Sequence, residues 1–175
     1  VVAPTGVAAV QIGGQTIHSF FRFSTGTTPE SAGGSVPAGR KKIYEKIDTV
    51  VIDEISMVRA DLFDCIDVFL RKARNSKLPF GGVQMVMIGD PYQLPPVVSG
   101  PEADIFSGHY ATPYFFSAHA LKDFDLEVVE LEKVYRQKDI EFVGLLNRIR
   151  NNSVEAKDIA QLNSLSTCTE RISFA

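Results

Sequence analysis

The sequence predicts an α/β fold, a parallel β-sheet with flanking helices. Three observations carry this reading. Thr49-Val50-Val51-Ile52 is a short run with three β-branched apolar residues in a row, the pattern of a strand buried on both faces. Gln84-Met85-Val86-Met87-Ile88 is a second buried run. Between them, Leu62, Ile66, Phe69, Leu70 and Ala73 recur at helical spacing, the mark of an amphipathic helix.

Both strands end in polar groups. The first delivers Asp53-Glu54 and the second Gly89-Asp90-Pro91-Tyr92-Gln93-Leu94-Pro95-Pro96. Ligands of open α/β sheets bind outside the carboxyl ends of the strands. An apolar strand ending in Asp-Glu is the Walker B pattern of P-loop nucleotide hydrolases. There the first acid helps to hold Mg²⁺ and the second orients and deprotonates the attacking water. Taken alone, the pair also fits a buried strand followed by an acid at a helix N-terminus. Gln93 is neutral and can donate to a phosphate oxygen, and Pro95-Pro96 stiffens the loop that presents it.

The remaining elements are taken in chain order. Val1-Val2-Ala3 reads as the end of a buried strand, and Pro4-Thr5-Gly6 turns into a short helix through Val7 to Val10. Thr5 and Gly6 offer a hydroxyl and free N–H groups to an anion, or they form a plain strand-to-helix turn. Gly13-Gly14 ends the helix. In Thr16-Ile17-His18-Ser19-Phe20-Phe21, His18 either contacts a phosphate or base or is a core histidine. Ser24 to Gly39, rich in Gly, Pro, Ser and Thr, reads as an exposed, mobile loop. Gly34 to Lys41 resembles a phosphate loop in spacing only, because Arg40 and Lys41 stand where Lys and Ser or Thr are required. Arg40, Lys41, Lys42 and Lys46 instead form the solvated face of a helix reaching Ile47.

In the amphipathic helix, Asp61, Asp64 and Asp67 lie early and Arg71, Lys72 and Arg74 late, which suits the macrodipole. Pro79-Phe80-Gly81-Gly82 makes a sharp turn before the second strand. Tyr114-Phe115-Phe116 and Leu126 to Leu131 read as further strands, with a helical turn at Ala118 to Lys122. Helices are expected at Ile140 to Asn152 and at Glu155 to Leu165, and a strand begins at Ile172-Ser173-Phe174.

Composition narrows the function. The 175 residues are 45% hydrophobic, enough for a sizeable core. A net charge of -3 supplies no global basic field, so nucleic-acid binding would rest on local contacts. Cys65 and Cys168 fit no metal or redox spacing, and His18, His109 and His119 form no zinc set. No apolar run reaches the length of a membrane span, and an intracellular setting is expected: cytoplasmic in a bacterium, nuclear or mitochondrial in a eukaryote.

Six stretches then carry a family resemblance. Ala3-Pro4-Thr5-Gly6-Val7-Ala8-Ala9, Thr16-Ile17-His18-Ser19-Phe20, Asp53-Glu54-Ile55-Ser56-Met57, Pro79-Phe80-Gly81-Gly82-Val83-Gln84, Gly89-Asp90-x-x-Gln93-Leu94-Pro95-Pro96 and Val134-Tyr135-Arg136-Gln137 occur in this order. The chain resembles Pif-type DNA helicases, RecD-like superfamily-one motors that move 5′ to 3′ on single strands, over essentially its whole length.

The resemblance implies a RecA-like P-loop fold, ATP and Mg²⁺ as cofactors, and single-stranded DNA and single-strand/duplex junctions as partners. It implies that Asp53 binds Mg²⁺, Glu54 is the catalytic base, Gln93 senses the γ-phosphate and Arg136 is an arginine finger. Pro4, Thr5, Gly6 and His18 would touch the DNA strand through phosphates and base faces, with little sequence preference.

The resemblance also sets the expected organisation. Residues 1–152 would be the first motor domain and 153–175 the start of the second. In the family a Gly-rich loop ending in Gly-Lys-Ser or Gly-Lys-Thr precedes the position of Val1. The expectation is therefore a piece of a longer helicase, inactive alone, whose open sheet edge favours dimerisation, strand exchange or partial unfolding. The alternatives are a non-catalytic domain with residual single-strand binding, or a different P-loop enzyme.

Overall fold

The computed structural model describes residues 1–166 apart from 35, 38, 99–105, 123, 132, 134 and 136–138. The chain divides into two compact units, Val1–Leu126 and Glu127–Ala175.

The first unit is built on four parallel strands, β1 (Val2–Ala3), β2 (Gln15–Thr16), β3 (Thr49–Ile52) and β4 (Gln84–Met87), in the order β2-β1-β3-β4. Register places Val2 beside both Gln15 and Ile52, and Ile52 beside Met87. The β-branched side chains of β3 explain its central place, with Val50 and Ile52 buried.

Short helices connect the strands: α1 (Gly6–Gln11), α2 (Ile17–Phe21), α3 (Pro29–Ala32) and α4 (Lys41–Lys46). The long helix α5 (Ala60–Ala73) lies between β3 and β4 in sequence and buries Phe63, Ile66, Phe69 and Leu70. Its apolar stripe meets an aromatic cluster in which Phe69 stands edge-on to Phe21 and Tyr44 at 5.5 and 4.8 Å. At its C-terminal end the Arg74 guanidinium donates to the carbonyls of Tyr44, Glu45, Ile47 and Gly81. One side chain thus satisfies the last carbonyls of α4 and the turn before β4.

That turn, Pro79–Gly82, has the left-handed backbone the motif requires, with φ of 51° at Phe80 and 64° at Gly81. A Cβ at Gly81 would come within 2.6 Å of the Leu70 carbonyl oxygen, so glycine is needed there. Phe80 plugs the core, and its N–H donates to the Asp67 carboxylate at 2.6 Å.

Three expectations are corrected. Ser24 to Gly39 is not uniformly exposed, because it contains α3, which buries Ala32. A Thr28/Ser31 capping box with Pro29 in the first turn starts this helix, a local signal overshadowed by the loop-like composition. Tyr114 makes only an isolated antiparallel bridge to Arg59, and Phe115–Ser117 is a 3-10 turn that packs Phe115 against the core. Leu126 to Leu131 pairs with no strand, and Val128, Val129 and Leu131 are exposed. Their β-branched pattern has no ladder partner among the described residues.

The second unit contains α6 (Ile140–Arg150) and α7 (Ala156–Ser166). Asp139 caps α6, and Asn152 reverses the chain with a φ of 54°. Arg148 grips the buried Asp158 carboxylate through Nε and Nη2 at 2.9 and 2.7 Å. The strand expected at Ile172 to Phe174 lies outside the described residues.

Candidate active site

All four strands point their carboxyl ends in one direction, so the segments that succeed them meet along one edge of the sheet. These segments are Pro4-Thr5-Gly6, Ile17-His18, Asp53-Glu54 and Gly89 to Gln93. The parallel topology therefore brings the expected site residues to a common edge, apart from Arg136, which lies outside the described residues.

Backbone hydrogen bonds set the acidic pair in place. The N–H of Asp53 donates to the Val2 carbonyl at 2.9 Å, extending the β1–β3 ladder to the acid itself. The N–H of Ile55 donates to the Ile88 carbonyl at 2.9 Å, tying the other side to the end of β4. Between these anchors Glu54 adopts a left-handed backbone, φ 53° and ψ 44°, and caps the 3-10 turn Ile55–Met57. Such a conformation is uncommon for a residue with a side chain and persists where the surroundings over-determine it.

Asp53 and Glu54 are both half-buried, and neither carboxylate makes a hydrogen bond or ion pair among the described residues. Two adjacent acids left without partners at a strand end suit a cation and a water rather than a structural role. One carboxylate with room for phosphate oxygens and waters is a donor set that fits Mg²⁺. No group of three or more His, Cys, Asp or Glu side chains among the described residues forms a cage for a metal held by protein alone.

Gln93 is exposed on the loop after β4. Its side-chain amide donates to Asp90 Oδ2 at 3.2 Å, and Asp90 Oδ1 accepts from the N–H of Tyr92 at 3.0 Å. The amide has a second N–H to offer a ligand. Gly89 makes the approach of this loop possible, because a Cβ there would lie 2.9 Å from Ile55 N and 3.2 Å from Ser56 N.

Thr5 caps α1, its hydroxyl oxygen accepting from the Ala8 N–H at 3.2 Å. The cap leaves the hydroxyl proton available, and Gly6 faces open space. Thr16 caps α2 in the same way, accepting from Ser19 N–H. Ile17 and Phe21 enter the core, whereas His18 is half-buried, so the enclosed-histidine alternative does not hold. Pro4 is half-buried beside Thr5.

Two features were not legible in the sequence. Ser56 is fully buried, and its hydroxyl has no hydrogen-bond partner among the described residues; leaving a buried hydroxyl unpaired costs about 1–3 kcal/mol. Asp64 and Asp67 are buried acceptors rather than solvated macrodipole acids. Asp64 takes the Tyr110 hydroxyl and the N–H groups of His119 and Ala120 at 2.8, 3.1 and 2.8 Å. Burial and this Asp64 bond push the Tyr110 hydroxyl pKa well up. Burial, with Asp61 and Asp64 nearby, pushes the Cys65 thiol up to about 12. A cavity of about 560 Å³ opens beside these acids, between α3, α5 and His119, and none of Thr5, His18, Asp53, Glu54 or Gln93 lines it.

The parallel sheet, the Asp53-Glu54 pair at its carboxyl edge and the adjoining Gln93 loop define a RecA-like motor domain of the P-loop nucleotide hydrolases. The PIF1-like helicase family model matches residues 1–159, and the chain belongs to that family. It is 37% identical over 170 residues to the ATP-dependent DNA helicase PIF1 of Saccharomyces cerevisiae, covering 95% of this chain and 19% of that protein. It is 38% identical over 150 residues to human ATP-dependent DNA helicase PIF1, covering 85% of this chain and 22% of that protein. A crystal structure of Pif1 helicase from Bacteroides in complex with ADP-AlF3 and ssDNA superposes with a TM-score of 0.91 at 40% identity, over 99% of this chain and 41% of that one. The chain thus spans roughly a fifth of the length of these two curated relatives.

Proposed function

We propose that this chain is part of an ATP-dependent DNA helicase that couples ATP hydrolysis to 5′-to-3′ translocation on single-stranded DNA and to duplex unwinding. The observation that carries the reading is the Asp53-Glu54 pair, two carboxylates without partners among the described residues at the carboxyl end of a central strand. Asp53 would hold Mg²⁺, whose positive charge would offset the negative charge that develops during phosphoryl transfer.

The chain's own residues divide the remaining work. Glu54 orients a water and accepts its proton as the water's oxygen attacks the γ-phosphorus and the bond from that phosphorus to the departing ADP oxygen breaks. Its left-handed backbone and the flanking anchors at Val2 and Ile88 restrict where that carboxylate can go. Gln93 donates its free N–H to a γ-phosphate oxygen, so loss of the phosphate releases the loop that begins at Gly89. Arg136 neutralises charge that develops on the transferred phosphoryl group. Pro4, Thr5, Gly6 and His18 contact the DNA backbone and bases at the ends of β1 and β2. The proposed division assigns residues 1–152 to the first motor domain and 153–175 to the second.

No Gly-Lys-Ser or Gly-Lys-Thr occurs within the 175 residues, and these groups act on phosphates held by such a loop. The isolated polypeptide is proposed to be inactive and to self-associate along the open edge of β4. Unwinding assays of the full-length protein on duplexes with a 5′ or a 3′ single-stranded tail test the helicase reading. Opening only of the 5′-tailed duplex, dependent on ATP, is the expected result. ATP-independent binding without opening of either substrate would reduce the chain to a DNA-binding domain.

A further inference from the structure

We infer that Ser56 is a positioning residue for nucleotide turnover, its buried hydroxyl serving as the joint between the Asp53-Glu54 turn and the Gly89–Gln93 loop. The inference rests on the helicase reading above. Three observations meet at this residue. Ser56 is 0% exposed and its Oγ has no partner among the described residues. It sits in the 3-10 turn that Glu54 caps. The backbone of that turn is in contact with Gly89, close enough that a Cβ on Gly89 would lie 3.2 Å from Ser56 N.

The polar orphan thus stands where the turn that follows Glu54 and the loop that carries Gln93 touch. In this arrangement Gln93 is engaged with Asp90 through both its side chain and its backbone N–H. For Gln93 to reach a phosphate, the 89–93 loop must rearrange against the turn holding Ser56. A backbone carbonyl of the moving loop is the acceptor the hydroxyl lacks. Pairing with it favours the arrangement in which Glu54 and Gln93 face the phosphates together. A purely structural serine at a dry position would instead be paired in the resting fold.

The test uses the full-length protein with saturating single-stranded DNA. Ser56→Ala is expected to leave the thermal midpoint unchanged or raised, because it removes an unpaired polar group. ATP affinity should stay within about twofold, while kcat falls about tenfold. The Ser56→Ala/Gln93→Ala double variant should be no slower than Gln93→Ala, because both changes disable the same joint.

A wild-type kcat for Ser56→Ala, multiplying effects in the double variant, or a lowered thermal midpoint would each overturn the inference. The last would mean that the hydroxyl is already paired in the resting protein. Glu54→Gln, run alongside, separates the two levels. If it keeps full turnover, the hydrolase reading itself fails. If it abolishes turnover while Ser56→Ala does nothing, only the role of Ser56 fails.

Discussion

The Ile55 N–H donates to the Ile88 carbonyl at 2.9 Å, and this one bond joins the turn after the acidic strand to the end of the strand that carries Gln93. Glu54 and Gly89, the first residue of the 89–93 loop, thus directly adjoin the two ends of one backbone hydrogen bond. Its left-handed backbone is held from both sides, by Asp53 N–H on Val2 and by Ile55 N–H on Ile88. A motor must link the chemistry at a phosphate to displacement of a loop, and this contact is the physical link available in the sheet.

Gly89 guards that contact. Gly89→Ala places a methyl group 2.9 Å from the Ile55 backbone nitrogen, and backbone gives way less readily than a flexible side chain. The expected cost is about 1–3 kcal/mol by chemical denaturation, the usual range for overpacking. Turnover should fall as well, because relief of the clash shifts Glu54.

Asp64 organises the segment around His119. Asp64→Ala leaves the Tyr110 hydroxyl and the N–H groups of His119 and Ala120 without their acceptor, at about 1–3 kcal/mol for each group that water cannot reach. Asp61→Ala, which removes a partly exposed pair with Arg59, should cost about 1 kcal/mol or less. Equal losses for the two variants in parallel denaturation curves would contradict the assignment.

The pairing of α6 with α7 is sensitive to acid. The Arg148 side chain, with a smaller contribution from the Glu155 N–H, holds the Asp158 carboxyl at about 2, below its ordinary 3.8. A depressed folded-state value stabilises the folded form above the unfolded value, and that contribution is lost as pH falls through the folded value. The protection factors of α6 and α7 amides against hydrogen exchange should therefore fall as pH drops from 3.8 to about 2. Arg148→Gln should weaken protection already at neutral pH and flatten this acid transition.

The edge of the sheet was legible in the sequence because buried strands announce themselves. Val50 to Ile52 and Met85 to Met87 are apolar runs, and each gives way to polar residues at its carboxyl end. Helix α5 was legible from its stripe at Leu62, Ile66, Phe69 and Leu70. The carboxylates of the same helix were not, because Asp64 and Asp67 satisfy a generic macrodipole rule and, beyond the Asp67–Arg71 pair one turn on, accept from groups 13 or more residues away in sequence. Phe115 illustrates the same limit. Its aromatic neighbours suggest a strand, but a 3-10 turn puts one ring into the core without a ladder. Ser56 carried no signal beyond its place after Asp53-Glu54-Ile55, since an unpaired hydroxyl is a property of packing.

The most direct measurement is ATP turnover by full-length Glu54→Gln in the presence of single-stranded DNA, alongside its ATP affinity. The amide keeps the size of the carboxylate and removes its ability to take a proton. Affinity should stay within about twofold while turnover falls about 10²–10⁴-fold, the range for losing a general base. Turnover near the wild-type rate would contradict the assignment of Glu54 as the residue that activates water.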